Sequence, residues 1–204
     1  MKIIETAPAP NCRRVRIYLA EKGIDDIEFE QIDIMGGANL EGEYREKSFT
    51  GKVPLLQLDD GTCISESVAI KRYFEALHPE PPLFGRNPRE IALVEMWDRI
   101  ADYNMMLPVG MCFQHTTGVF KDRMTPFPEF GANCGEQVQK FFTRLDAHLE
   151  HNEFLAGDYF SVADISMFCP MDFAKVVKIR PDKAAHPHLM RWYDTLKQRP
   201  AFSA

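Results

Sequence analysis

The chain has no CxxC pair, no internal repeat and no low-complexity tract, and no apolar run approaches the ~20 residues that a membrane-spanning helix needs. Its five cysteines (Cys12, Cys63, Cys112, Cys134 and Cys169) are odd in number and widely spaced, which argues against a disulfide framework or a zinc site. The six histidines show no metal-ligand spacing, so no metal is expected. Basic residues are outnumbered, and the net charge of −6 argues against general affinity for nucleic acid or an anionic membrane. A local basic pocket for a small anion remains compatible with that charge. The amino terminus reaches Glu5 too soon for a secretory signal. These absences together point to a reduced, cytosolic compartment. What is present is ordinary for a folded chain: 204 residues, 45% hydrophobic and 26% charged, enough for one large or two modest domains.

The most informative stretch runs from Gly51 to Ile70 and reads as loop, strand, tight turn, strand and helix start. Asp60-Gly61 is a two-residue hairpin signal, since glycine accepts the positive φ of such turns. Pro54 opens a strand, where a missing N–H is tolerated. With a cis bond before it, Val53 would turn its backbone N–H and C=O toward an extended ligand. Ser65 reads as a helix N-cap, with Glu66 and Ser67 in a first turn whose unpaired amides suit a carboxylate.

Val53-Pro54, followed after a hairpin by Glu66-Ser67-x-Ala69-Ile70, resembles the glutathione-binding core of the cytosolic glutathione transferases. The resemblance implies that Val53 pairs through its backbone with the cysteinyl part of glutathione. It also implies that Glu66 and Ser67 grip the γ-glutamyl carboxylate. Leu155-Ala156-Gly157-Asp158 leading into Ser161-Val162-Ala163-Asp164 is similar to the segment that caps the central helix of that family's all-helical domain. His186-Pro187 through Trp192 is similar to its closing helix.

Along the chain, a strand is expected over Lys2–Thr6 and a helix from about Cys12 to Lys22, with Val15, Tyr18 and Leu19 on one face and Gly23 as its stop. A second strand follows at Ile27–Asp33, a polar loop with a loose helix at Gly36–Thr50, and a helix at Glu66–Leu77. That order, with a cis-proline before the third strand, is the thioredoxin-like pattern. The expected organisation is therefore α/β plus all-α: residues 1–78 a thioredoxin-like glutathione-binding domain, 79–87 a proline-rich linker and 88–204 an all-helical domain. In the helical part Asn87-Pro88-Arg89-Glu90 signals a helix start, with Ile91, Val94, Trp97 and Ala101 at helical spacing and Pro108 as a bend. Val138, Phe141, Phe142, Leu145 and Leu149 mark another helix, and Ser161-x-x-Asp164 is a capping box.

A transferase of this kind must ionise a bound thiol, which is mostly protonated at neutral pH because a free thiol titrates near ~8.5. Aligned on Arg14-Val15, the family's usual serine position is Ala9, which has no side-chain donor. Three candidates stand for thiolate stabilisation: the amide of Asn11 in a turn just ahead of the helix, backbone donors alone, and Cys12. The last sits at a helix start beside Arg13 and Arg14, where a depressed thiol pKa and a mixed disulfide with glutathione are expected. Arg13 and Lys52 are candidates for the glycyl carboxylate. The family often places a base near Asn39, and its usual Asn-Pro has become Ser48-Phe49 here. Tyr103, Met106, Met111, Phe113 and His115 form the candidate electrophile wall, because methionine and aromatic side chains adapt to varied apolar ligands.

The implied activity is conjugation of the glutathione thiolate, as co-substrate, to a small apolar electrophile in a detoxification role. Alternatives are a glutathione-dependent disulfide oxidoreductase and a non-catalytic glutathione-binding protein. The implied assembly is a homodimer, with Phe49 as a docking aromatic and Asp98 or Asp102 near the partner's glutathione amine.

Overall fold

Ile3 and Ile4, both buried, sit in β1 (Lys2–Glu5), an inner strand of a four-stranded sheet. The computed structural model describes residues 1–203. It divides into one compact unit built on Met1–Pro81 and a second over Pro82–Phe202. In the first, α1 (Pro10–Glu21) buries Cys12, Arg14, Val15, Ile17, Tyr18 and Leu19. It begins at Pro10 rather than near Cys12, because proline's fixed φ suits the first helical position and its missing N–H has no acceptor to lose there. β2 (Glu28–Gln31) pairs parallel with β1, a short α2 (Gly42–Lys47) follows, and β3 (Leu55–Gln57) pairs antiparallel with β1. β4 (Cys63–Ser65) closes the order β2-β1-β3-β4, and α3 (Ser67–Leu77) packs against α1. This is the thioredoxin-like arrangement.

The hairpin differs from the two-residue reading. Leu58 N–H donates to Thr62 O at 2.9 Å and Gly61 N–H to Leu58 O at 3.0 Å, so the loop spans Asp59, Asp60 and Gly61. Gly61 takes the left-handed position (φ 87°) that relieves strand twist in such loops. α3 also starts one residue later than expected: Glu66, not Ser65, is the N-cap and Ser67 opens the helix.

The second unit is all helical. Asn87 caps α4 (Pro88–Ala101), its side chain accepting from Glu90 N–H at 3.0 Å. Its buried face is Val94, Asp98 and Ala101, whereas Ile91 is 41% exposed, so the apolar spacing over-counted the core. A π-helical turn (Asp102–Met106) joins α4 to α5 (Leu107–Thr116). Pro108 lacks an N–H and crowds the preceding turn, which a wider turn relieves. α6 (Pro128–Leu149) packs against α5 and buries Val138, Phe142, Leu145 and Leu149. α7 (Val162–Phe173) is buried almost throughout behind the Ser161–Asp164 capping box, and α8 (Pro187–Lys197) buries Leu189, Trp192 and Leu196. Short 3-10 turns at Ala174–Val177 and Pro200–Ser203 follow α7 and α8. Among the described residues no helix is long and apolar enough to cross a membrane.

Candidate functional site

In the first unit two helix N-termini meet. Asn11 lies within the first turn of α1, not in a turn before it, and Ser67 opens α3. Ser67 Oγ donates to Asn11 Oδ1 at 3.4 Å, and Arg14 Nη1 donates to the same oxygen at 3.2 Å. These bonds occupy the amide oxygen and leave the Asn11 NH2 as the group available to an incoming acceptor. The backbone amides at the start of α1 have no intrahelical acceptor, and both helix dipoles present their positive ends here. Ala9, the N-cap of α1, contributes no side-chain bond.

Cys12 is a neighbour in sequence but not in environment. Its side chain is fully buried, and that burial pushes the thiol up to about 12, outweighing a backbone hydrogen bond from Thr6 that acts the other way. The depressed pKa expected from Arg13 and Arg14 is therefore reversed. A helix start lowers a thiol only where the sulfur is solvated, and this one faces the core.

The Val53–Pro54 bond is cis, and neither the amide nor the carbonyl of Val53 bonds to another described residue. Lys52 extends into solvent while Val53 packs partly against the cluster of Ile4, Tyr44 and Leu55. Glu66 is exposed and holds φ 70°, a left-handed backbone costing a non-glycine residue about 1–2 kcal/mol. Such strain tends to persist where a binding geometry requires it. Arg13 is half-buried.

The loop before Val53 holds residues that spacing did not single out. Tyr44 is buried and its hydroxyl donates to Lys52 O at 2.7 Å. Arg45 Nη1 donates to Ser48 O and Phe49 O at 2.6 and 2.8 Å. Asn39, expected to mark a missing base, donates Nδ2 to Gly51 O at 2.6 Å. Gly51 (φ 64°) has no room for a side chain, since a Cβ there would lie 2.9 Å from the Asn39 carbonyl. Ser48 is fully buried and Phe49 is 90% exposed. The signal for Tyr44 was one of two aromatics, with Phe49, in a mostly polar loop.

In the second unit, Tyr103 is exposed, and Met106, Met111, Phe113 and His115 are partly buried. Met106 lies in the π-helical turn and Met111 on α5. Phe113 packs edge-on against Phe120 and Phe173. His115 Nδ1 accepts from Phe127 N–H at 3.0 Å and its ring lies against Phe127 and Phe130, so only Nε2 remains for a ligand. Asp98 is buried, with Arg99 Nη2 at 2.9 Å, and Asp102 receives Arg99 Nη1 at 3.0 Å. Clefts of about 250 Å³ beside Arg16 and Phe29 and about 450 Å³ beside Glu150 and Arg191 include none of these residues. Among the described residues no cluster has the composition of a metal site.

Residues 5–82 match the family model for the glutathione S-transferase N-terminal domain, and residues 126–200 match that for its C-terminal domain. The chain is 33% identical to glutathione S-transferase 2 of Saccharomyces cerevisiae, over 98% of this chain and 87% of that protein. A solved glutathione S-transferase domain-containing protein from Marinobacter aquaeolei superposes with a TM-score of 0.94 at 37% identity, covering 99% of this chain and 100% of that one. Elongation factor 1-gamma of Equus caballus is 31% identical over 83% of this chain, which spans only 37% of that protein's length.

Proposed function

The chain belongs to the glutathione S-transferase family, and from that premise we propose that it adds the glutathione thiolate to the electrophilic centre of a small apolar compound. Glutathione is the co-substrate of this family. The observation that carries the reading is the unbonded backbone of Val53 in the same unit as the joined N-termini of α1 and α3. An extended peptide finds a main-chain partner at Val53 and, at Glu66–Ser67, helix-terminal amides that suit its γ-glutamyl carboxylate. Lys52 and Arg13 supply positive charge for the glycyl carboxylate.

In this proposal the Asn11 NH2, the first-turn amides of α1 and the helix dipole stabilise the bound thiolate together. Each unit by which they lower its pKa is about 1.4 kcal/mol of preference for the reactive form. Cys12 takes no part in activation, because a thiol held near 12 is neither a ready nucleophile nor a ready partner for a mixed disulfide. The electrophile is assigned to Tyr103, Met106, Met111, Phe113 and His115. Residues 1–78 serve as the glutathione domain and 88–204 as the electrophile domain, with 79–87 as linker. The working form is a cytosolic homodimer with Phe49 as a docking side chain.

The test is a pH titration of the ultraviolet thiolate absorbance of bound glutathione in the wild type and in Asn11→Ala. The wild type should ionise the thiol below its free value, and the variant should return the pKa upward by about one unit. An identical titration in both removes Asn11 from thiol activation. Binding with no lowered pKa in either protein leaves a binding module in place of an enzyme.

A further inference from the structure

The Lys52–Val53 peptide bond is not among the cis bonds of the chain, so its C=O and N–H point in opposite directions within one plane. Whatever holds the Lys52 oxygen therefore aims the Val53 hydrogen. Two side chains reach that oxygen: the Tyr44 hydroxyl at 2.7 Å and, more weakly, the Ser48 hydroxyl at 3.5 Å. One residue earlier, Asn39 Nδ2 holds the Gly51 oxygen in the same way. Arg45 acts further back, on the Ser48 and Phe49 carbonyls, and so shapes the loop and not this peptide plane.

Tyr44 is suited to a fixed anchor. Its ring is buried with Ile4 and Leu55, and Val53 packs on the same cluster. Its phenol is a donor across the physiological range, because burial pushes it up to about 12.

We propose that Tyr44 is a positioning residue for glutathione binding: its hydroxyl, bonded to the Lys52 carbonyl, holds the Val53 amide aimed at the cysteinyl backbone of the tripeptide. The inference rests on the proposed reading of Val53 as glutathione's main-chain partner. Tyr44 touches no part of the ligand, and its effect passes entirely through one peptide plane. The loop thereby acquires by a side-chain bond the rigidity that the ladder of a β-strand supplies to residues within a sheet.

Tyr44→Phe keeps the ring and removes only the bond. Glutathione binding by calorimetry and steady-state kinetics with an aryl halide are measured on wild type and variant. In the variant the glutathione Kd and KM should rise about five-fold, the value expected for one ordinary hydrogen bond. The kcat at saturating glutathione and the KM for the aryl halide should stay at wild-type values. A second ligand, S-methylglutathione with its cysteinyl carbonyl replaced by methylene, should bind wild type and Tyr44→Phe equally, since the aimed amide then has nothing to meet. Unchanged glutathione affinity in Tyr44→Phe overturns the inference. An equal loss for both ligands overturns it too, because it means general loosening of the loop. A wild type that binds no glutathione is a separate result, which takes down the parent reading and this one with it.

Discussion

Asn11 and Cys12 are adjacent on the first turn of α1, yet one is half-exposed beside Ser67 and the other is fully in the core. A step of about 100° around a helix separates them, and that step decides which can meet a ligand. The buried thiol has a measurable consequence. Its pKa is raised from 9.0 to about 12 in the folded chain, so above pH 9 the unfolded chain ionises it first. The stability it contributes is full at neutral pH and is lost as the pH rises from 9 through about 12. Urea unfolding at about pH 7 and about pH 10.5 should show a stability loss that Cys12→Ala makes shallower by up to about 1.4 kcal/mol per pH unit. Equal slopes in the two proteins would place the sulfur in water.

At the scale of elements, the helical unit depends on a carboxylate that every neighbour treats as an acceptor. Asp164 Oδ1 receives Leu155 N–H at 3.0 Å and Trp192 Nε1–H at 2.9 Å, while Oδ2 receives Ser161 N–H and Oγ–H at 2.9 and 3.1 Å. One side chain thus ties the segment before α7, the start of α7 and the middle of α8. Burial pushes its carboxyl upward while these donors pull it down. Asp164→Asn turns one acceptor into a donor facing donors, a mismatch independent of charge. We expect a loss of about 2 kcal/mol and a Tm lower by about 6 °C, read by thermal melting. A melting point unmoved by the substitution would show that one oxygen suffices. The capping box that contains this residue was legible as Ser161-x-x-Asp164, because a cap is local chemistry. The bonds to Leu155 and Trp192 were not, since they join elements brought together only by packing.

For the whole molecule, one exposed aromatic bears on the proposed homodimer. Phe49 is 90% exposed at the end of a loop whose other aromatic, Tyr44, turns inward. Solvating a phenyl ring costs about 1.5–3 kcal/mol relative to burying it. If the proposed homodimer covers it, Phe49→Ala should weaken dimerisation at least about ten-fold, within that free energy. Analytical ultracentrifugation across a concentration series reads this directly. An unaltered dimer constant would assign the pairing to another surface.

The amino-acid sequence determined by itself what depends on neighbours in the chain. The order of strands and helices and the caps at Asn87 and Ser161 follow from propensity and short-range bonding. The breadth of the turn before Pro108, the exposure of Ile91 and the three-residue hairpin loop did not, because each balances alternatives of similar local energy. Only the tertiary structure decided that Cys12 is sealed off, that Asn11 meets Ser67, and that Tyr44 holds the Lys52 carbonyl. Those outcomes turn on which face of a helix or loop meets the core, and that is settled when distant segments pack, not by the residues on either side.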